Sequence, residues 1–402
     1  MGYNLRSLSV VSLTEAKRQL EQIGCDPVGV ALMTEKMLLP VLKLEGLSTK
    51  AANLLKQTFL AKGGDVAVSR GTADLSEECT DVLVFATVKQ YRLALAQLKQ
   101  QPWGLPRVAA AMEQALKAHL QRNYQRDYAW QDGKRLALKE NKTLVMGILN
   151  VTPDSFSDGG RYFSAEAAVE QAQRLVEEGA DIIDLGAEST RPYGGNQEIS
   201  AEIELSRMLP VLERLVKQIS VPISIDTYKA EVAEAALQAG AHIINDVWGL
   251  QRDAGMAAVA ARYDVPVVVM HNQKEAVYAG DIMGGICGFL RRSLELAAAA
   301  GVREENVWID PGIGFAKTCE QNLEVMSRLG ELKALGCPVL LGTSRKRFIG
   351  EVLGGLAVDD RVEGTAATVA WGIAQGVQIV RVHDVRTMAR ITKMINAMQK
   401  RG

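Results

Sequence analysis

Asp226, Asn245 and Asp310, together with Lys346, make one set of residues able to grip a flat polar heterocycle. A carboxylate accepts two N–H bonds from a guanidine-like edge, and an amide offers a mixed donor and acceptor pattern to another edge. That chemistry suits a pterin. Arg191, Arg381 and His383, with Asn150 nearby, make a second and cationic set. Guanidinium groups suit the oxygens of a diphosphate. A hard cation such as Mg²⁺ would bind there through one or two oxygen ligands plus the phosphates. The chain has no Cys/His cluster for zinc, no pattern of nucleophile and base, and no G-x-G-x-x-G.

These residues share one placement: each follows or ends a short apolar run. The runs are Thr143–Leu149, Asp181–Leu185, Pro222–Ile225, His242–Ile244, Val265–Met270, Val307–Ile309, Pro338–Leu341 and Gln378–Val382. Helical patterns lie between them at Ala165–Glu178, Glu202–Ile219, Ala230–Ala239, Leu290–Ala300, Cys319–Leu335 and Val362–Ala374. Glycine often closes the helix, as at Gly179, Gly240 and Gly376, where a left-handed cap is needed. Strands alternating with helices predict a parallel sheet, and eight such units predict a closed (β/α)₈ TIM barrel. A doubly wound open sheet is the structural alternative. In a barrel, the residues at the strand ends converge on one mouth. Taken singly, an Asp or Asn after a strand can equally cap the next helix. Helix capping does not readily explain eight polar strand ends at once.

Ahead of the first run, Asp132-Gly133 predicts a hairpin turn. Residues 1–125 read as a separate, smaller α/β domain, and 126–402 as the barrel. In the first part, Thr14–Ile23, Ala51–Ala61, Tyr91–Gln100 and Val108–Arg122 have helical patterns, and Asp65–Ser69 and Val82–Ala86 strand patterns. No motif there points to chemistry.

The composition, 48% hydrophobic and 23% charged with a net charge of -1, argues against recruitment to nucleic acid or an anionic membrane. Five cysteines without a CxxC pair predict neither a disulfide framework nor a zinc site, and a reducing, cytoplasmic setting fits them. No apolar run is long enough to span a bilayer.

From about Tyr128 onward the chain resembles the dihydropteroate synthase family of pterin-binding enzymes. The most specific stretch is Met146-Gly-Ile-Leu-Asn-Val-Thr-Pro-Asp-Ser-Phe-Ser-Asp-Gly-Gly160, followed by Gly186-Ala-Glu-Ser-Thr-Arg-Pro192. Ser224-Ile-Asp-Thr227, Ile244-Asn-Asp-Val247, Asp310-Pro-Gly-Ile-Gly-Phe315, Ser344-Arg-Lys346 and Arg381-Val-His-Asp384 come next in family order. The resemblance implies a transferase that joins a dihydropterin diphosphate to para-aminobenzoate, as a homodimer acting on small molecules with Mg²⁺. It implies that Asp226, Asn245, Asp310 and Lys346 hold the pterin, and that Asn150, Arg381 and His383 hold the diphosphate and its metal. One loop with Phe156 and Asp158, and another with Thr190, Arg191 and Pro192, would close over the site. Ser344, Phe315 and Pro192 would border the para-aminobenzoate pocket, where sulfonamides would compete. A related barrel that moves a methyl group from a folate to a corrinoid protein shares the pterin set, but needs no diphosphate pocket. Tyr193, Arg347, Ala316 and Asn272-Gln273-Lys274 depart from the common family pattern.

Overall fold

The computed structural model describes residues 3–120, 124–151, 161–188 and 198–400. The chain forms two compact units, residues 1–122 and 123–401.

The first unit runs α1 (Leu13–Gln22), α2 (Pro27–Thr34), β1 (Val41–Ser48), α3 (Thr49–Leu60), β2 (Asp65–Val68), the short α4 (Gly71–Asp74), β3 (Cys79–Phe85), α5 (Val88–Leu98) and α6 (Leu105–Leu120). Helix starts follow local chemistry. Ser12, Asp26 and Ser48 accept from backbone N–H groups of the first turn, and Thr87 and Gln90 form a reciprocal capping box. The sheet order is β1–β3–β2, with β3 antiparallel to both neighbours. Strand β3 turns Thr80, Val82 and Val84 inward onto a core containing Leu55, Phe59, Tyr91 and Leu98. The sequence reading lacked β1, α2 and the short α4. Strand β1 carries Leu42, Leu44 and Leu47 on one face, but its register shifts between Leu44 and Leu47, which breaks the two-residue period.

The second unit opens with the hairpin β4 (Arg126–Ala129) and β5 (Arg135–Leu138). It continues β6 (Leu144–Asn150), α7 (Arg161–Glu177), β7 (Ile182–Gly186), α8 (Ala201–Gln218), β8 (Ile223–Asp226), α9 (Ala230–Gln238), β9 (Ile243–Asp246) and α10 (Met256–Tyr263). After these come β10 (Val267–Met270), α11 (Ile282–Ala299), β11 (Val307–Asp310), α12 (Cys319–Ser327), β12 (Leu340–Leu341), α13 (Arg347–Val352), α14 (Val362–Gln375), β13 (Ile379–Val382) and α15 (Val385–Gln399). The parallel sheet has the order β11–β10–β9–β8–β7–β6–β13–β12, and the bridge Ile309↔Val339 joins its two ends. It is therefore a closed eight-stranded barrel with helices outside, a TIM barrel. The expected helix Cys319–Leu335 is instead α12 followed by a 3₁₀ turn, Leu329–Leu335. Gly330 weakens continuation there. The Arg328 guanidinium at the break donates to Asp281, Glu324 and Glu331. The sequence reading gave no bounds for helices α10, α13 and α15.

One apolar layer fills the barrel at its N-terminal end. Leu144, Met146, Ile182, Ile243, Val268, Trp308, Leu340 and Ile379 meet Tyr128, Leu136 and Leu138 of the hairpin. The Trp308 indole N–H donates to the Tyr128 hydroxyl (3.0 Å), which donates to the Glu305 carbonyl (2.6 Å). The hairpin turn is tied to the barrel by charge. Asp132 accepts from the Lys134 ammonium (2.6 Å) and lies 3.0 Å from His242 Nε2, while His242 Nδ1 accepts from the Ile223 N–H. The imidazole must therefore carry its proton on Nε2 and donate to Asp132.

Burial alone would raise the Asp132 carboxyl, but hydrogen bonds from Lys134 and His242 outweigh it and hold the group at about 2. Burial lowers His242, more than Asp132 raises it. Both shifts remove stability in acid. The unfolded chain protonates His242 first as pH falls below 6.5, and it protonates Asp132 first between 3.8 and about 2. Asp132→Ala leaves the buried His242 Nε2–H without its acceptor and the Lys134 ammonium with the Val216 carbonyl (2.9 Å), and is expected to cost about 1–3 kcal/mol in urea unfolding at pH 7. The acid loss between pH 4 and pH 2 should also shrink in that variant. An unchanged stability and acid profile would contradict the account.

Candidate active site

The polar layer of the barrel lies two residues beyond the apolar one on four of the strands. Residues two apart on a strand point the same way, so the inward face continues from one layer to the next. Thus Ile182 is followed by Asp184, Ile243 by Asn245, Trp308 by Asp310 and Ile379 by Arg381. Asp226, one register step above Asp184, pairs laterally with Gly186 and Asn245, and Asn150 with Gly186. Gly186 borders both: a Cβ there would be in ordinary contact with Asn150 Oδ1 (3.4 Å) and Asp226 Cβ (3.5 Å).

Arg381 occupies the centre. Its Nε donates to Asp184 Oδ2 (2.6 Å) and its NH2 to Asp226 Oδ2 (2.7 Å). The Asn245 amide also donates to Asp184 Oδ2, at 3.2 Å. These residues are all buried or nearly so, with Asp184 0% exposed. The sequence reading separated an acidic, amide-rich set from a cationic one. The structure overturns that separation, because closing the barrel brings Arg381 onto the carboxylates and makes one network. Asp184 is the member that sequence reasoning left without a role; its only signal was its position near a strand end.

Asp310, Lys346, Phe315, Ser344 and His383 lie at the following strand ends. Asp310 Oδ1 accepts from the Gly312 N–H (2.7 Å). The Lys346 ammonium donates to the Ile313 carbonyl and lies 4.6 Å from the Phe315 ring centre. Phe315 packs with Tyr228, Val247, Trp248 and Met270 into an apolar shelf. Ser344 Oγ accepts from the His383 N–H (3.1 Å) and lies 3.0 Å from its Nδ1. Arg345, between Ser344 and Lys346, is left-handed at φ 58°, and its backbone is held on both sides. Its N–H donates to Thr365 Oγ1 (3.1 Å) and its carbonyl accepts from Arg361 (2.9 Å). Its guanidinium forks onto Asp384 at 3.0 and 2.6 Å, which ties the seventh strand end to the eighth. Asp158, Thr190 and Arg191, with Phe156, Pro192 and Tyr193, lie outside the described residues.

Two polar strand ends serve structure. Asp246 accepts from the N–H groups of Trp248 (2.8 Å) and Leu250 (2.7 Å) and so closes the turn after β9, short of the helix that begins at Met256. His271 is 1% exposed and lies against Tyr278 and Phe289. Its Nδ1 lies 3.0 Å from the buried Lys317 ammonium, which also donates to the Gly312 and Phe315 carbonyls. Burial and Lys317 push His271 down to about 3, so it is neutral. Lys317 was not foreseen; a lysine two residues after Phe315 reads as a solvated loop residue. It holds the loop that carries Asp310 and Phe315. Gly312 is obligatory in that loop, because a Cβ would lie 1.9 Å from the His271 carbonyl oxygen.

Residues 146–383 match the profile of the family described as pterin binding enzyme. Dihydropteroate synthase of Bacillus subtilis is 55% identical over 267 residues, 66% of this chain and 92% of that one. The Clostridium beijerinckii enzyme is 49% identical, covering 65% and 96%. Among solved structures, Clostridium difficile dihydropteroate synthase in the presence of pteroic acid superposes with a TM-score of 0.62 at 51% identity, covering 64% and 97%. The Xanthomonas albilineans dihydropteroate synthase with 4-aminobenzoic acid gives 0.63 at 43% identity, covering 66% and 96%. The chain belongs to the dihydropteroate synthases of the pterin-binding enzyme family.

For a dihydropteroate synthase, the charge state of this mouth sets its pH range. Burial raises Asp226 to about 7, against the pull of Arg381 and with the push of Asp184. Burial lowers Lys346 to about 8, against Asp310. Asp226 is thus protonated as pH falls through about 7, and Lys346 is deprotonated as pH rises through about 8. Affinity for a bare pterin, measured by calorimetry and corrected for the ligand's own titration, should decline on both sides of a maximum between these values. Lys346→Gln should erase the alkaline limb and keep the acid one. A wild-type affinity independent of pH would show that these two groups do not meet the ring.

Proposed function

We propose that the barrel condenses 6-hydroxymethyl-7,8-dihydropterin diphosphate with para-aminobenzoate, giving 7,8-dihydropteroate and diphosphate. One observation carries the residue roles: two buried carboxylates and an amide converge with the Arg381 guanidinium in one network. Asp226 and Asp310 accept the pterin N–H groups, Asn245 offers its amide, and Lys346 donates to a ring acceptor. The shelf of Phe315, Trp248, Met270 and Val247 meets the ring face. Arg381 and His383 face the diphosphate. Ser344 and Phe315 border the para-aminobenzoate, while Thr190, Arg191 and Asp158 complete the site from the two loops.

In the reaction the methylene–oxygen bond to diphosphate breaks and the amine nitrogen forms the new bond to that carbon. The amine then releases a proton. Negative charge grows on the leaving diphosphate, so a fixed guanidinium binds it more tightly in the transition state than in the ground state. Asn150 fits a hard cation: its oxygen stands over Gly186, beside Asp226. The described residues contain no group of three or more His, Cys, Asp or Glu that would hold a metal alone, as suits Mg²⁺ held largely by substrate phosphates. When bound, the ion would neutralise charge on the diphosphate. A cytoplasmic homodimer is part of the same reading. No helix among the described residues is long and apolar enough to cross a membrane.

Arg381→Ala should lower turnover by on the order of a hundredfold or more, as for loss of one charge-stabilising group. It should weaken diphosphate binding and leave pterin-ring affinity much less affected. Asp226→Asn should do the reverse to the ring. Turnover and diphosphate affinity unchanged in Arg381→Ala would refute the diphosphate assignment. Chelation by EDTA should abolish turnover and Mg²⁺ should restore it, whereas the bare pterin should still bind; activity that survives chelation excludes the metal role.

A further inference from the structure

We infer that Asp184 is a positioning residue for this reaction, acting on the diphosphate side through Arg381 and on the pterin side through Asn245. The inference rests on the reading that those two residues meet the substrate. Asp184 itself lies one level too deep: it pairs laterally with Ile148 and Ser224, while Asp226 stands one step further toward the mouth.

A single oxygen does both jobs. Asp184 Oδ2 accepts from Arg381 Nε at 2.6 Å and from Asn245 Nδ2 at 3.2 Å. Fixing Nε sets the plane of the guanidinium, whose donors form a rigid fork. NH2 then meets Asp226, and the rest of the fork keeps a defined direction. The effect on Asn245 follows from polarity. Only the amide nitrogen can face a carboxylate, so the carbonyl oxygen is turned away from Asp184 and left as an acceptor. Without Asp184 the amide has no reason to prefer that orientation. Asp184 Oδ1 and the neighbouring Ser224 Oγ are buried and have no hydrogen-bond partner among the described residues. A carboxylate kept in such surroundings is held by its cationic and amide partners, which is what its positioning role requires.

Asp184→Asn keeps the shape and removes the charge. It should lower affinity for both inorganic diphosphate and the bare pterin by on the order of tenfold each, the scale of one hydrogen bond to a charged group. It should also lower kcat more than it raises the KM for para-aminobenzoate. The decisive measurement is a double-mutant cycle. The diphosphate penalty of Asp184→Asn should vanish in an Arg381→Ala background, and the pterin penalty should vanish in an Asn245→Ala background. A merely structural residue would give additive penalties that follow the melting temperature, and that result overturns the inference. Should the uncompensated guanidinium prevent Asp184→Asn from folding, Arg381→Met is compared with Arg381→Met/Asp184→Asn. A lower pterin affinity in the double variant supports action through Asn245, and an equal affinity overturns it. If Arg381→Ala itself leaves diphosphate binding intact, the assignment of Arg381 fails. If Arg381→Ala weakens diphosphate binding and Asp184→Asn does not, only the present inference fails.

Discussion

The Arg381 guanidinium, closed between Asp184 and Asp226 inside the barrel, is the constraint around which the rest of the site is arranged. Burial and the neighbouring Asp184 push the Asp226 carboxyl up, and the Arg381 guanidinium pulls it back. Arg381 cannot give up its proton, so it holds negative charge beside it. Burial opposes the charge on Arg381, and the two aspartates more than restore it. Such networks are seldom the most stable way to fill a core; well-packed apolar residues of similar volume often do as well or better. The arrangement makes sense as stored electrostatics: charges already desolvated and oriented before the substrate arrives, which need little rearrangement when charge moves in the reaction.

That network can exist because a dry layer lies directly beneath it. Trp308, Ile182, Ile243, Ile379 and their neighbours fill the barrel, and the Tyr128 hairpin seals its lower end. The same strands that bury the apolar side chains therefore aim Asp184, Asn245, Asp310 and Arg381 into the next layer. Loops add to this only where they are themselves fastened. The turn after β11 is stitched by Lys317 to His271, and the turn before α13 is held by Thr365, Arg361 and Asp384 around a left-handed Arg345. Phe315 and Lys346, each on one of these turns, thereby inherit much of the rigidity of the barrel.

The first unit, residues 1–122, has its own sheet and its own core, and none of the residues assigned to the chemistry lies in it. The family match begins at Met146, inside the first barrel strand. The reaction is thus explained by the second unit, and the first is an addition with a separate physical basis for folding.

Much was legible in the amino-acid sequence. The eight strands were visible because each is a short β-branched run ended by polar residues, and the helices between them because their caps and closing glycines are local signals. Asp226, Asn245, Asp310, Lys346 and Arg381 stood out by type and place. What the sequence could not express is partnership. Arg381 meets Asp184 and Asp226 across 197 and 155 residues, and Asn245 meets Asp184 across 61. Those meetings exist only once the sheet closes on itself. For the same reason the sequence could not tell Asp246, which caps its own loop, from Asp226, which faces Arg381, though both are aspartates ending adjacent strands. Local pattern sets which residues point inward; only the closed barrel decides which charges share a dry space, and that sharing sets their protonation and their role.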